Sequence, residues 1–319
     1  MITELDQIDR DNTIALGKLR EDYIELVRDF RKKFVSPALT AEQVYEKILA
    51  TEGLGNRDIT TGIPWWDDFM GPFRRGNTYL IAGYPGSGKT TLALNLAWGM
   101  VCKGFKCWYY CLELKAEETF EVLAGHVQKT AVLSKGDYVE AYAKIQGTGM
   151  RFYDPRGYLS WEQHLDQISG IVRKEQLDVV FIDNLGFLTR AAKNTFEVEN
   201  VASARLKGLA QELEVPIVLL HHLRKPESDQ LEPEPNVHSM KGSGAILADA
   251  SDAIILHHSI ADGEGYTRQS VGYVLSGKPR WGKGGKRYVR LEGDMRSYFP
   301  DIAEHYVKAG ARRKVSYGG

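Results

Sequence analysis

A turn of the form GxxxxGK(S/T) constrains a chain more than any other short feature here, because it works only where a buried strand runs into it and a helix leaves it. Residues 83–90 read GYPGSGKT, with no departure from that pattern; the apolar run TYLIAG ends at Gly83, and TTLALNLAWGM continues from Thr90. In this register the glycines let backbone N–H groups turn inward around a phosphate, and the helix N-terminus adds the positive end of its dipole. Lys89 is expected to reach the β- and γ-phosphates, and Thr90 to offer its hydroxyl to Mg²⁺. Gly83, Gly86, Ser87, Gly88, Lys89, Thr90 and Thr91 are therefore the candidate binding residues for ATP, or for another ribo- or deoxyribonucleoside triphosphate.

The strand, turn and helix around this motif open a longer alternation. Further β-type runs, KCWYYCLEL, RFYDP, DVVFIDN, PIVLLHH and DAIILHH, are separated by stretches predicted to form helices from about Ala116, from Ser160 and over Glu197 to Leu213. Strands alternating with helices imply βαβ crossovers and an α/β fold, a mostly parallel sheet with helices on both faces. The runs SVGYVLSGKPR and KRYVRLEGD are expected to close the sheet edge as an antiparallel pair. Ahead of this region, apolar residues at Leu5, Ile8, Ala15, Leu19, Tyr23, Leu26 and Phe30 fall at steps that trace one stripe along a helix, with eight acidic and seven basic residues between positions 2 and 34. Such a helix, about 45 Å long at 1.5 Å per residue, needs somewhere to dock its apolar face. A second short helix is expected from Thr40 to about Glu52. The domain reading is an N-terminal helical arm over 1–53, an ATPase core over 54–303 and a basic tail over 304–319.

Composition removes other classes. The 319 residues are 43% apolar and 26% charged with a net charge of −1, which suits a globular chain and excludes a globally basic nucleic-acid coat. No apolar run is long enough for a transmembrane helix, and the acidic start lacks the basic and greasy stretches of a signal peptide, so a cytoplasmic address and no membrane partner are expected. Cys102, Cys107 and Cys111 lack zinc-ligand spacing and are expected to be small buried hydrophobes on a turn and strand.

Two carboxylates qualify for chemistry beside the phosphate loop. Asp183 ends the apolar run VVFID, where a P-loop enzyme places the carboxylate associated with its magnesium. Glu113 ends CWYYCLE at the same carboxyl edge of the sheet; position alone leaves open whether it activates water or is a solvated strand-end glutamate.

The ordered set GIPWWDDFMG, GYPGSGKTT, LELKAEE, VVFIDNLGFL, VPIVLLHHLRKP, KGSGAILADASDAIIL and GKPRWGKGG resembles the RecA-type motor of hexameric replicative DNA helicases, the DnaB-like superfamily, and within it the helicase halves of phage primase-helicases and Twinkle. The resemblance covers about residues 54–300. It implies a RecA-like P-loop NTPase core in a hexameric ring that translocates 5′ to 3′ on single-stranded DNA and unwinds duplex, with Glu113 as the catalytic glutamate and Asp183 as the magnesium-associated carboxylate. It also implies a γ-phosphate-sensing His222 at the end of PIVLLHH; strand alternation turns His221 the other way. Lys278 and Arg280 match a Lys-x-Arg element whose arginine reaches the neighbouring subunit's nucleotide. Arg224, Lys225, Lys241, Gly242, Ser243 and Gly244 match pore loops that hold the sugar-phosphate backbone. The acidic, Pro-rich middle, PESDQLEPEPN, departs from the family pattern. About fifty residues precede the motor without a zinc-ribbon pattern, so no primase activity is expected; a primase, polymerase or loader would be a separate partner, and a phage or plasmid origin is favoured. The arm 2–34 resembles the family's linker helix that docks on a neighbouring motor.

Two other classes compete: a strand-exchange or mediator ATPase of the wider RecA group, and a nucleotide-switched partner-binding protein. The first usually lacks the Lys-x-Arg element, and the second has no need of an arginine finger.

Overall fold

The computed structural model describes residues 40–50, 58–155, 159–190, 195–223, 244–260, 270–276, 285–292 and 297–300. The chain divides into two units, Met1–Asn56 and Arg57–Gly319. In the first, helix α1 spans Ala41–Ala50. Thr40 and Gln43 cap it reciprocally, the Thr40 N–H donating to Gln43 Oε1 at 2.9 Å and the Gln43 N–H to Thr40 Oγ1 at 3.2 Å. The helix expected over 2–34 and the tail 304–319 lie outside the described residues.

The second unit opens with a small antiparallel sheet of β1 (Asp58–Ile59) and β2 (Phe73–Arg74) around helix α2 (Pro64–Met70). Asp67 ties this segment together, its carboxylate accepting from the backbone N–H groups of Thr61 and Gly62, each at 2.9 Å.

The main sheet is built from β3 (Thr78–Gly83), β4 (Cys107–Cys111), β5 (Met150–Tyr153), β6 (Val179–Asp183), β7 (Ile217–His222), β8 (Asp252–Ile260), β9 (Ser270–Ser276), β10 (Gly285–Glu292) and β11 (Ser297–Pro300). Its order is β11-β10-β9-β8-β3-β7-β6-β4-β5. The six strands from β8 to β5 are parallel, and β9, β10 and β11 extend the sheet antiparallel. The α/β reading and its closing antiparallel pair hold, and β11 adds a further strand beyond that pair.

Central strands of a parallel sheet are covered on both faces and so read as continuous apolar runs. β3, β4 and β6 are buried along their whole lengths. Alternate residues of each strand enter opposite cores. Ile81, Tyr109 and Phe181 pack with Leu92, Leu94, Leu123 and Ala141 of helices α3 (Lys89–Cys102), α4 (Ala116–Gln128) and α5 (Lys135–Ile145). On the other face Leu80, Tyr110 and Ile182 pack with Ile168, Val172, Ala202 and Leu206 of α6 (Trp161–Glu175) and α8 (Thr195–Leu213). A four-residue helix α7 (Leu185–Leu188) follows β6, and α9 (Gly244–Asp249) precedes β8.

Other details also differ from the sequence reading. Between β4 and β5 the chain forms two helices where the sequence predicts one. Helix α5 buries only Ala141 and Ile145 while Tyr138, Val139 and Tyr142 stay exposed, so its apolar residues spread beyond the inward face and blur the helical period. All three cysteines are free, but Cys102 is exposed on the last turn of α3 rather than buried on a turn. Cys107 and Cys111 are buried as expected, and burial pushes the Cys111 thiol up to about 11. Among the described residues no helix is long and apolar enough to cross a membrane.

Because β3, β4, β6 and β7 run parallel, the residues at their carboxyl ends lie along one edge. The chain leaves β3, passes β7 and β6, and enters β4, which is the kind of strand-order crossing where open α/β sheets hold ligands.

Candidate nucleotide and catalytic site

The phosphate loop joins β3 to α3. Gly86 and Gly88 adopt φ values of 78° and 83°, a conformation that side-chain-bearing residues rarely take. At Gly83 the constraint is space, since a Cβ there would lie 2.5 Å from the Leu256 carbonyl oxygen on β8. No side chain caps the N-terminus of α3, and Gly88 turns the chain into the helix from a left-handed conformation. Lys89, 5% exposed, folds back over the loop, its Nζ donating to the carbonyl oxygens of Gly83 at 3.1 Å and Tyr84 at 2.9 Å. Burial lowers the Lys89 pKa to about 8, against the opposing pull of Asp183 and Glu113.

Asp183, 3% exposed at the end of β6, receives two hydroxyl donors on Oδ2, Thr90 Oγ1 at 2.7 Å and the Tyr109 phenol at 2.8 Å. Burial raises its carboxyl above the usual range, and these two hydrogen bonds act in the opposite sense. A hydroxyl and a carboxylate at a helix N-terminus beside a phosphate loop are hard oxygen donors that fit Mg²⁺, which is commonly held by one or two protein oxygens with substrate phosphates completing its sphere. Among the described residues no cluster of three or more His, Cys, Asp or Glu side chains could hold a metal ion by itself.

Glu113 lies just past β4, where its backbone N–H and that of Leu112 both donate to the Asp183 carbonyl, at 3.0 and 2.8 Å. Its Oε2 accepts from Asn184 Nδ2 and stands 3.1 Å from His222 Nε2. A carboxylate can only accept, so the imidazole bonds it when Nε2 carries the proton. His222 ends β7 opposite Gly83 of β3, and His221 is buried, 7% exposed. The structure thus brings His222 of the pair to Glu113, and brings Lys89, Thr90, Asp183 and Glu113 to the same sheet edge.

Gly244 opens α9. Arg224, Lys225, Lys241, Gly242, Ser243, Lys278 and Arg280 lie outside the described residues. The sequence reading misses Asn184 and Tyr109. Asn184 carries one local signal, an amide before a short apolar run; its Oδ1 accepts from the Phe187 N–H at 3.3 Å and caps α7. Tyr109, inside an apolar run, carries none.

Residues 58–299 match the model of the DnaB-like helicase C-terminal domain, well over half of the chain. The chain belongs to the DnaB-like helicase family. Among curated relatives of this DnaB-like chain, a probable plasmid replicative DNA helicase of Chlamydia psittaci is 25% identical over 236 residues, covering 70% of this chain and 51% of the relative. A replicative DNA helicase DnaB of Treponema pallidum is 28% identical over 213 residues, covering 62% of this chain and 48% of the relative. The chain spans about half the length of the curated relatives it matches. Among solved structures, one ATPase domain superposes with a TM-score of 0.67 at 23% identity, covering 81% of this chain and 96% of that one. A DnaB-like replicative helicase studied with primase gives a TM-score of 0.67 at 22% identity over 84% of this chain and 68% of that one. These likenesses show the fold of the DnaB-like core, a RecA-like NTPase architecture.

Proposed function

We propose that the chain is the motor of a ring-shaped replicative helicase, hydrolysing ATP or a related triphosphate to move 5′ to 3′ along single-stranded DNA and separate duplex. The observation that carries this is the convergence on Glu113: one carboxylate oxygen meets both Asn184 and His222, beside the Thr90–Asp183 pair and the loop that Lys89 covers. A site built only to bind nucleotide needs the loop and Lys89; a carboxylate held beside them suits water activation. Family membership supports the helicase reading against strand exchange or a nucleotide switch.

In this reading the triphosphate draws Lys89 Nζ away from the Gly83 and Tyr84 carbonyls onto the β- and γ-phosphates. Thr90 and Asp183 would hold Mg²⁺, which supplies charge neutralisation for the phosphoryl oxygens. Glu113 takes the proton of the attacking water as its oxygen bonds the γ-phosphorus and the bond to the β-bridging oxygen breaks. His222 links the γ-phosphate to Glu113, so the state of the nucleotide reaches the end of β7. Arg280, with Lys278, acts on the nucleotide of a neighbouring subunit in a hexamer, and the arm 2–34 docks on that neighbour. Arg224, Lys225, Lys241 and the Gly242–Gly244 segment hold the DNA backbone in the pore. A primase is the candidate replication partner, suggested by the structural neighbour studied with one.

Measuring ATPase with and without single-stranded DNA, together with unwinding of forks bearing either a 5′ or a 3′ loading tail, tests the proposal. DNA-stimulated turnover with unwinding from the 5′ tail is expected. DNA-stimulated turnover without unwinding of either fork would instead favour the strand-exchange class, and turnover indifferent to DNA the nucleotide switch.

A further inference from the structure

Tyr109 lies at the centre of β4 with none of its surface exposed. Its ring stacks on Phe181 of the neighbouring strand, with centroids 5.9 Å apart and planes 13° from parallel. A phenylalanine would fill that position without the cost of taking a hydroxyl out of water. The hydroxyl instead reaches the carboxylate at the end of β6, donating to Asp183 Oδ2 at 2.8 Å, the oxygen that also receives Thr90 Oγ1 at 2.7 Å.

The two donors differ in freedom. Thr90 stands in the first turn of α3, half-buried, and its hydroxyl is the one the nucleotide reading assigns to the cation. Tyr109 cannot move with it, because its ring is packed in the core and its backbone lies in a strand paired on both edges. Were Thr90 to turn to a cation, Tyr109 would remain as the donor to a carboxylate that is itself 3% exposed. A buried carboxylate is held in one orientation by the hydrogen bonds it keeps.

We infer that Tyr109 is a positioning residue for the divalent cation of the nucleotide site, its buried hydroxyl fixing the Asp183 carboxylate while Thr90 exchanges partners. The inference rests on the nucleotide and Mg²⁺ reading given above. It differs from a plain core tyrosine in one consequence: loss of the hydroxyl weakens the metal and leaves the metal-free nucleotide alone.

The test is Tyr109→Phe in the full chain, with Mn²⁺ and a non-hydrolysable ATP analogue as probes. Free Mn²⁺ is read from its electron paramagnetic resonance signal, analogue affinity is measured in EDTA, and the thermal midpoint is recorded. Loss of a partner that orients a metal-associated ligand costs about 10- to 100-fold in metal affinity. That loss of Mn²⁺ binding is expected in Tyr109→Phe, with metal-free analogue affinity and thermal midpoint at wild-type values. Phe181→Leu, which disturbs the same packing and keeps the hydroxyl, is expected to retain Mn²⁺ affinity. Equal Mn²⁺ affinity in Tyr109→Phe and wild type would overturn the inference, as would an equal loss in Phe181→Leu. A Tyr109→Phe chain that fails to fold would overturn it too, by making the hydroxyl a stability element. Wild-type protein that binds the analogue but no Mn²⁺ would overturn this inference together with the metal reading beneath it.

Discussion

Thr90 and Asp183, 93 positions apart in the chain, meet through a 2.7 Å hydrogen bond from the threonine hydroxyl to the carboxylate. The contact ties the first turn of α3 to the end of β6, two strands away from β3 across the sheet. It puts the phosphate loop and the candidate catalytic edge in one frame.

Lys89 gives a pH dependence. Burial holds its pKa near 8, below its ordinary value of 10.5, so above pH 8 the amine is increasingly neutral. Bound phosphates favour the charged form, so binding takes up a proton in that range. Affinity for a metal-free ATP analogue should be full below pH 8 and fall as pH rises through it, by up to about tenfold per pH unit. Titrations at pH 7 and pH 9 check this. Lys89→Ala should bind weakly with no such pH step and have no measurable hydrolysis; a step of the same size in that variant would assign the titration elsewhere.

Asn184 can be tested without removing its cap. Asn184→Asp keeps an oxygen to accept the Phe187 N–H and replaces the amide donor facing Glu113 with a second carboxylate. Turnover should fall toward the loss of a general base, about 10²- to 10⁴-fold, with nucleotide affinity preserved. Glu113→Gln should show the same split between binding and turnover. If Asn184→Asp turned over at the wild-type rate, its hydrogen bond to Glu113 would have no part in hydrolysis.

Arg280 is expected to act across a subunit boundary. Arg280→Ala protein should bind nucleotide and be inactive, and mixing it with Lys89→Ala protein should restore some ATPase, because some interfaces then pair an intact loop with an intact arginine. A finger in trans is worth roughly 10³ to 10⁵ in rate, so few repaired interfaces suffice. ATPase of a dilute, monomeric wild-type preparation that does not depend on protein concentration would place the arginine in cis.

Arg224→Ala and Lys241→Ala should weaken single-stranded DNA binding for every sequence alike and reduce the salt slope by about 0.7 for each phosphate no longer neutralised. Basal ATPase without DNA should persist. Fluorescence anisotropy over a range of salt concentrations reads the slope, and an unaltered slope would remove these residues from the pore.

What can be read from the sequence alone is what the chain decides locally. Glycine spacing and the following lysine specify the phosphate loop because a tight turn and a helix start are properties of adjacent residues. The apolar runs ending in Asp183 and His222 mark the parallel strands, and alternation separates His222 from His221. The roles expected of Glu113, Arg280 and the pore loops rest on family resemblance, since no local pattern carries them. The order of strands is decided by the tertiary structure: β6 pairs with β4 and β7, and β3 with β7 and β8. That order carries Asn184 to Glu113 across 71 positions, His222 to Glu113 across 109, and Tyr109 to Asp183 across 74. Each of these pairs joins residues that belong to or follow different strands, and an apolar run does not encode which strand lies beside it. Helix α5 escapes for the opposite reason, since its turns face water as much as the core and its tyrosines and valine obscure the period that would reveal it.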